Sequence, residues 1–90
     1  MENPEPQDQR ELTFGEKAVG LTFNPSGDEK VHKAKQLMAD ALDLLKEVEA
    51  EKTDNGRAML SWEANVFRTN AFNKIVDAQM SLVNFITWNN

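Results

Sequence analysis

The chain has 90 residues, 28% of them charged, with a net charge of −5 and no cysteine. That bounds it at one domain, excludes disulfides and thiolate metal sites, and leaves a lone histidine, His32, too few partners for an all-protein zinc site. The acidic balance also argues against DNA binding, which relies on clustered Lys and Arg.

So short a chain is marginal as a monomer, and with disulfides and metals gone, association is the remaining remedy. Met1 to Arg10 is polar, holds Pro4 and Pro6, and has no apolar run, so it reads as neither a signal peptide nor a helix. Residues 1–11 are expected to form a disordered acidic tail, with four acids against one arginine, ahead of a helical domain over 12–90. No stretch approaches the roughly 20 apolar residues of a membrane span, and a cytosolic protein is expected.

Leu12 to Val19 is a short helix or turn, interrupted by Gly15 and ended by Gly20. Gly20 to Gly27 is a loop built on Asn24-Pro25 and Ser26-Gly27, and it carries Leu21 and Phe23, unusual for a merely solvated connector. A long helix is expected from Ser26, where Ser26-Gly27-Asp28-Glu29 fits a capping box. Val31, Ala34, Met38, Ala41, Leu45 and Val48 form one amphipathic stripe, widened by Leu37, Leu42 and Leu44, with Glu29–Lys33 paired on the outer face. The helix fades by Lys52, and Thr53-Asp54-Asn55-Gly56 is a turn.

From Arg57 to Asn90 there is neither Gly nor Pro, and a helix throughout would span about 50 Å. It carries two stripes. One is Leu60, Ala64, Phe67, Ala71, Ile75, Ala78, Leu82 and Phe85; the other is Trp62, Val66, Thr69, Asn73, Val76, Met80 and Val83. They lie nearly opposite each other, whereas a helix buried on one side needs only one. Leaving the large residues of the second stripe in water would forgo on the order of 10 kcal/mol, comparable to a domain's net stability. The N-terminal segment could cover about half of that face; a second copy of the chain would cover it all. The fold class is therefore all-α: a short N-terminal helix or turn, then a long antiparallel helical hairpin assembled as an oligomer.

No catalytic constellation and no phosphate-binding glycine pattern occurs, and His32 sits in a charged run as a surface residue. No enzyme activity, metal or cofactor is expected. The stretch Phe14 to Gly27 is the least bland feature. Phe14 and Phe23 can stack on bases, Lys17 can charge-pair with a phosphate, and Thr22, Asn24, Ser26 and Gly27 offer polar groups ahead of a helix start. The plainer reading is a helix-capping turn with both aromatics anchored to the core. Arg57 and Arg68, three turns apart on one helix face, are further anion ligands. Thr69 and Asn73 set register in an interface or line a pocket between subunits.

The phrase Thr13-Phe14-Gly15-Glu16-Lys17-Ala18-Val19-Gly20-Leu21-Thr22-Phe23-Asn24-Pro25-Ser26-Gly27, with Ala78-Gln79-Met80 and Ile86-Thr87-Trp88 near the end, resembles the phage anti-CBASS / Thoeris anti-defence hairpin-domain proteins over roughly residues 11–88. The resemblance implies a sponge that sequesters, without cleaving, the nucleotide second messengers of bacterial immunity: cyclic dinucleotides, cyclic trinucleotides or cyclic ADP-ribose isomers. It further implies a homo-oligomer, a hexamer of interlocked dimers with pockets between subunits, in the cytoplasm of the infected bacterial host. It places Phe14 and Lys17 with the family's aromatic and basic ligand groups, Thr22, Asn24, Ser26 and Gly27 in the loop approaching the nucleotide, and Arg68 with the arginine early in the last helix. The chain's acidity departs from what a phosphate binder suggests. The competing reading is a helical protein–protein interaction module with no small-molecule ligand.

Overall fold

The computed structural model describes residues 10–89, and every regular element among them is helical: α1 (Phe14–Ala18), α2 (Glu29–Lys52) and α3 (Trp62–Thr87). The predicted tail lies outside the described residues over 1–9; Arg10, at its end, is held in place.

Thr13 and Glu16 start α1 as a reciprocal capping box: Thr13 Oγ1 accepts from Glu16 N at 3.1 Å, and the Glu16 carboxylate accepts from Thr13 N at 3.0 Å. The same carboxylate takes both guanidinium nitrogens of Arg10 at 2.8 Å and the Gln36 amide at 3.1 Å, so it ties the entering chain to α2. Arg10 first, then the Thr13 backbone, hold Glu16 down at a pKa of about 2. A carboxyl depressed in the folded state adds stability above its unfolded pKa and loses it as pH falls through the folded one. Glu16→Gln is expected to cost about 2 kcal/mol in urea denaturation at pH 7, with the difference from wild type shrinking between pH 4.5 and 2.

The long helix begins later than the capping-box reading of Ser26 and Glu29 expects. Asn24 to Gly27 closes a turn of its own, with Gly27 N donating to Asn24 O and Gly27 at φ +68°. Ser26 Oγ is spent inside that turn, donating to Asn24 Oδ1 and accepting from Asp28 N. Asp28 therefore caps α2, accepting from Lys30 N at 2.7 Å. Glu29 and Lys33 do not pair with each other. The expected end at Lys52 is observed, and Asp54, Asn55 and Gly56 turn the chain with three consecutive left-handed residues.

Arg57 to Leu60 is not helical, contrary to the single long helix expected, because Ser61 caps α3 by accepting from Ala64 N. Arg57 thus shares no helix face with Arg68.

One core joins all the elements: Val19 and Leu21 after α1, Ala39 and Leu42 of α2, with Leu12, Ala18, Met38, Phe72, Ile75 and Val76 packed around them. The helix α3 does not present its first stripe squarely to α2. It beds on the line between its two stripes, through Phe72, Ile75, Val76 and the buried Gln79. The inner edges of both stripes are half-buried, while Phe67, Phe85, Trp62, Val66 and Met80 stay exposed. A helix apolar nearly all round defines no single face, so its neighbours choose the rotation. On α2 likewise, Leu37, Leu44 and Val48 of the expected stripe are exposed. The N-terminal segment reaches α3 at Phe72, against which Phe14 packs, while Trp62, Val66 and Met80 of the second stripe stay exposed. The result is flat, with extents of 45 × 39 × 13 Å.

Candidate functional site

The loop after α1 turns back over the α2–α3 groove and walls a cleft of about 520 Å³. Val19, Phe23, Asn24, Pro25 and Ser26 form one side; Val31 and Lys35 of α2 and Gln79, Met80, Val83, Asn84 and Thr87 of α3 form the rest. The start of α2 and the end of α3 meet here. The volume suits a small-molecule site, apolar with a few polar groups.

Two side chains set its chemistry. Lys35 is 5% exposed, and its Nζ donates to Gly20 O at 3.0 Å and to Phe23 O, pinning the loop. The ammonium lies 5.5 Å from the exposed Phe23 ring, within cation–π range. Among the described residues no carboxylate pairs with Lys35, so a desolvated positive charge faces the cleft with dipoles alone for compensation. Burial accordingly pushes the Lys35 pKa down. Gln79 of α3 is 6% exposed and lines the same cleft. A buried lysine with no carboxylate partner among the described residues and a buried glutamine thus line one cleft, a lining that suits an anionic, hydrogen-bonding ligand.

The sequence-predicted residues divide between several places. Phe23, Asn24 and Ser26 line the cleft. Asn24 also braces it, with Nδ2 donating to Asp28 O at 3.0 Å, and Gly27 supplies the left-handed turn. Thr22 faces a neighbouring hollow with Arg10, His32 and Gln36. Phe14 packs against Phe72 with ring centroids 6.0 Å apart and carries Lys46 over its outer face; Lys17 is exposed, 3.8 Å from Glu11. Arg57 is in the turn, paired with Asp54 at 3.3 Å. Arg68 and Thr69 lie at the far end, where Arg68 donates to Asn65 Oδ1 at 2.9 Å and leaves Nε buried and, among the described residues, unpaired. The ten residues do not meet within one copy.

No family model, curated protein or solved structure matches the chain significantly. Among the described residues there is no group of three or more His, Asp or Glu fit to hold a metal ion, and no helix long and apolar enough to cross a membrane.

Lys35 and Gln79 escaped the sequence reading, although a signal existed for each. Val31, Lys35, Ala39 and Leu42 step by four, four and three, which puts a lysine inside an apolar face. Phe72, Gln79 and Ile86 repeat every seven residues, which does the same for a glutamine.

Proposed function

We propose that this protein is a non-catalytic sponge that binds and holds a cyclic nucleotide second messenger, as the phage anti-defence hairpin-domain proteins that its loop phrase resembles do. The observation that carries the reading is the cleft, with the Lys35 ammonium, held by backbone carbonyls and by no carboxylate among the described residues, set against the exposed Phe23 ring. A nucleotide offers a phosphate for the first and a base for the second. Nothing along the cleft is arranged as nucleophile and base, which favours holding the ligand over cleaving it.

Within the same reading, copies of the helical hairpin associate through α3 into a homo-oligomer, up to the hexamer that the resemblance implies. Phe67, Phe85, Trp62 and Met80 supply apolar area on both its sides. Association is also what would bring Lys17 or Arg68 of one copy toward the cleft of another. Sedimentation velocity at micromolar concentration is expected to give a species larger than one chain; a stable, folded monomer would remove the shared pockets.

The same exposed apolar surface favours a rival, a module that docks another protein and binds no small molecule. A thermal-shift panel of cyclic dinucleotides, cyclic trinucleotides and cyclic ADP-ribose isomers separates them. The sponge is expected to be stabilised by about 3 kcal/mol at ligand 100-fold above Kd, with ligand recovered intact after boiling. No shift across the panel favours the docking module, and a degraded nucleotide would point to an enzyme.

A further inference from the structure

We infer that α2 pairs antiparallel with α2 of a second copy, along the side turned away from α1. This contact is separate from the α3 association above and holds whatever ligand the cleft takes. On α2, α1 rests on Gln36, Ala39 and Asp43, through the Glu16 carboxylate, the Gly15 backbone and the Gly15 N–H. On the other side of the helix, Leu37, Ala41, Leu44 and Val48 recur by four, three and four, so they form one line. Leu37 and Leu44 are more than half exposed, and Val48 is exposed as well. The same face runs onto the end of α3, where the exposed Phe85 shares a hollow with Lys30.

Charge identifies the occupant. The line begins with Lys30 and Lys33 and ends at Glu51, with Glu47 beside it. Among the described residues none of these four closes an ion pair. An antiparallel partner, with the two-fold axis beside Ala41, sets Leu37 against the partner's Leu44 and Lys30 against the partner's Glu51, each contact occurring twice. A parallel partner would set lysine on lysine and glutamate on glutamate. Ala41 is small enough at the centre to let the two helices approach. Asp40 beside it is turned aside, accepting from the Gln36 amide at 3.1 Å. The line is thus complementary to itself read backwards, which singles out a second copy over an unrelated protein. Such a contact closes at two copies, so the α3 surface is what would carry the assembly further.

The chain has no cysteine, so single cysteines report the pairing. Purified full-length Leu37→Cys and Leu44→Cys are oxidised separately and as an equimolar mixture at micromolar concentration, and the crosslinked dimers are resolved by mass spectrometry. In the antiparallel pair position 37 faces position 44, while the two copies of position 37 lie about 10 Å apart along the axis, beyond the roughly 7 Å that a disulfide spans. The mixed disulfide is expected to exceed either homodimer by about tenfold, against about twofold for random pairing. Ala41→Cys, beside the two-fold axis, is expected to crosslink with itself. Leu44→Asp, at a site exposed in the single chain, is expected to keep its helix content by circular dichroism and to associate about tenfold more weakly or worse in sedimentation. Leu37→Cys homodimers that equal the mixed product would mean a parallel or casual contact, and would overturn the inference. So would the absence of any crosslink while wild type sediments as more than one chain, an outcome that leaves association through α3 standing. A wild type that sediments as a single chain overturns both contacts.

Discussion

Gly15→Ala is expected to undock α1 and cost about 3 kcal/mol, one of the largest single-residue effects in this chain. A Cβ built at Gly15 meets Ala39 O at 2.0 Å, Ala39 C at 2.7 Å and Ala39 Cα at 2.9 Å. These are backbone atoms in the middle of α2, so they cannot swing aside as a side chain would. The close approach also lets Gly15 N donate to Asp43 Oδ1 at 2.7 Å, and lifting α1 to admit a methyl group breaks that bond. Val19 and Leu21 follow α1 into the core, so their contacts with Ala39 and Leu42 loosen together. Local propensity argues for the opposite sign, since alanine in a helix gains about 1 kcal/mol over glycine. Thermal denaturation decides between them: a fall on the order of 10–20 °C is expected, and a rise would mean that α1 does not seat on Ala39. Ligand binding is expected to fall in parallel, because the segment that undocks is the one that walls the cleft.

Lys35→Met is expected to weaken cyclic di-AMP binding by about thirtyfold or more, in keeping with the 2–5 kcal/mol that losing one partner of a buried charge pair costs. The fold is expected to survive. The substitution strips partners from Gly20 O and Phe23 O, which destabilises, and also removes a desolvated charge, which stabilises. These opposed effects leave the melting temperature of the free protein close to that of wild type while affinity collapses. Unchanged affinity would remove Lys35 from the site.

The pH dependence gives the same residue a second signature. In the free protein burial lowers the Lys35 pKa below its ordinary 10.5. Between the lowered value and 10.5 the unfolded chain binds more protons, so stability gains from Lys35 as pH rises through that window. A bound phosphate favours the charged form, so affinity falls as pH rises through the same window. The Lys35 contributions to free-protein stability and to ligand affinity thus move in opposite directions, and both are expected to vanish in Lys35→Met.

Much of the fold was legible because it depends on local chemistry. Thr53-Asp54-Asn55-Gly56 can hardly continue a helix, and the apolar spacing of α2 is visible along the chain. Where two local signals competed, the reading went astray. Ser26 and Asp28 can both cap, and the Asn24–Gly27 turn claimed Ser26 first. Ser61 was passed over as a cap because no glycine or proline marks the break before it. The site was less legible still. Polar residues gathered in the Phe14–Gly27 stretch drew attention by their chemistry, yet Phe14 packs against Phe72 away from the cleft while staying partly exposed, and Lys17 stayed on the surface.

The sequence by itself determined that this is a helical chain with a turn-rich stretch ahead of its first long helix and too much apolar surface for one buried stripe, because periodicity and turn chemistry act over a few residues. Only the tertiary structure decided which line of α3 lies inward. That rotation depends on how closely Gly15 and Ala39 let α1 approach α2, and on where Val19 and Leu21 then meet Phe72, Ile75 and Val76. By fixing it, packing turned a lysine and a glutamine that look unremarkable along the chain into a buried charge and a buried amide on one cleft.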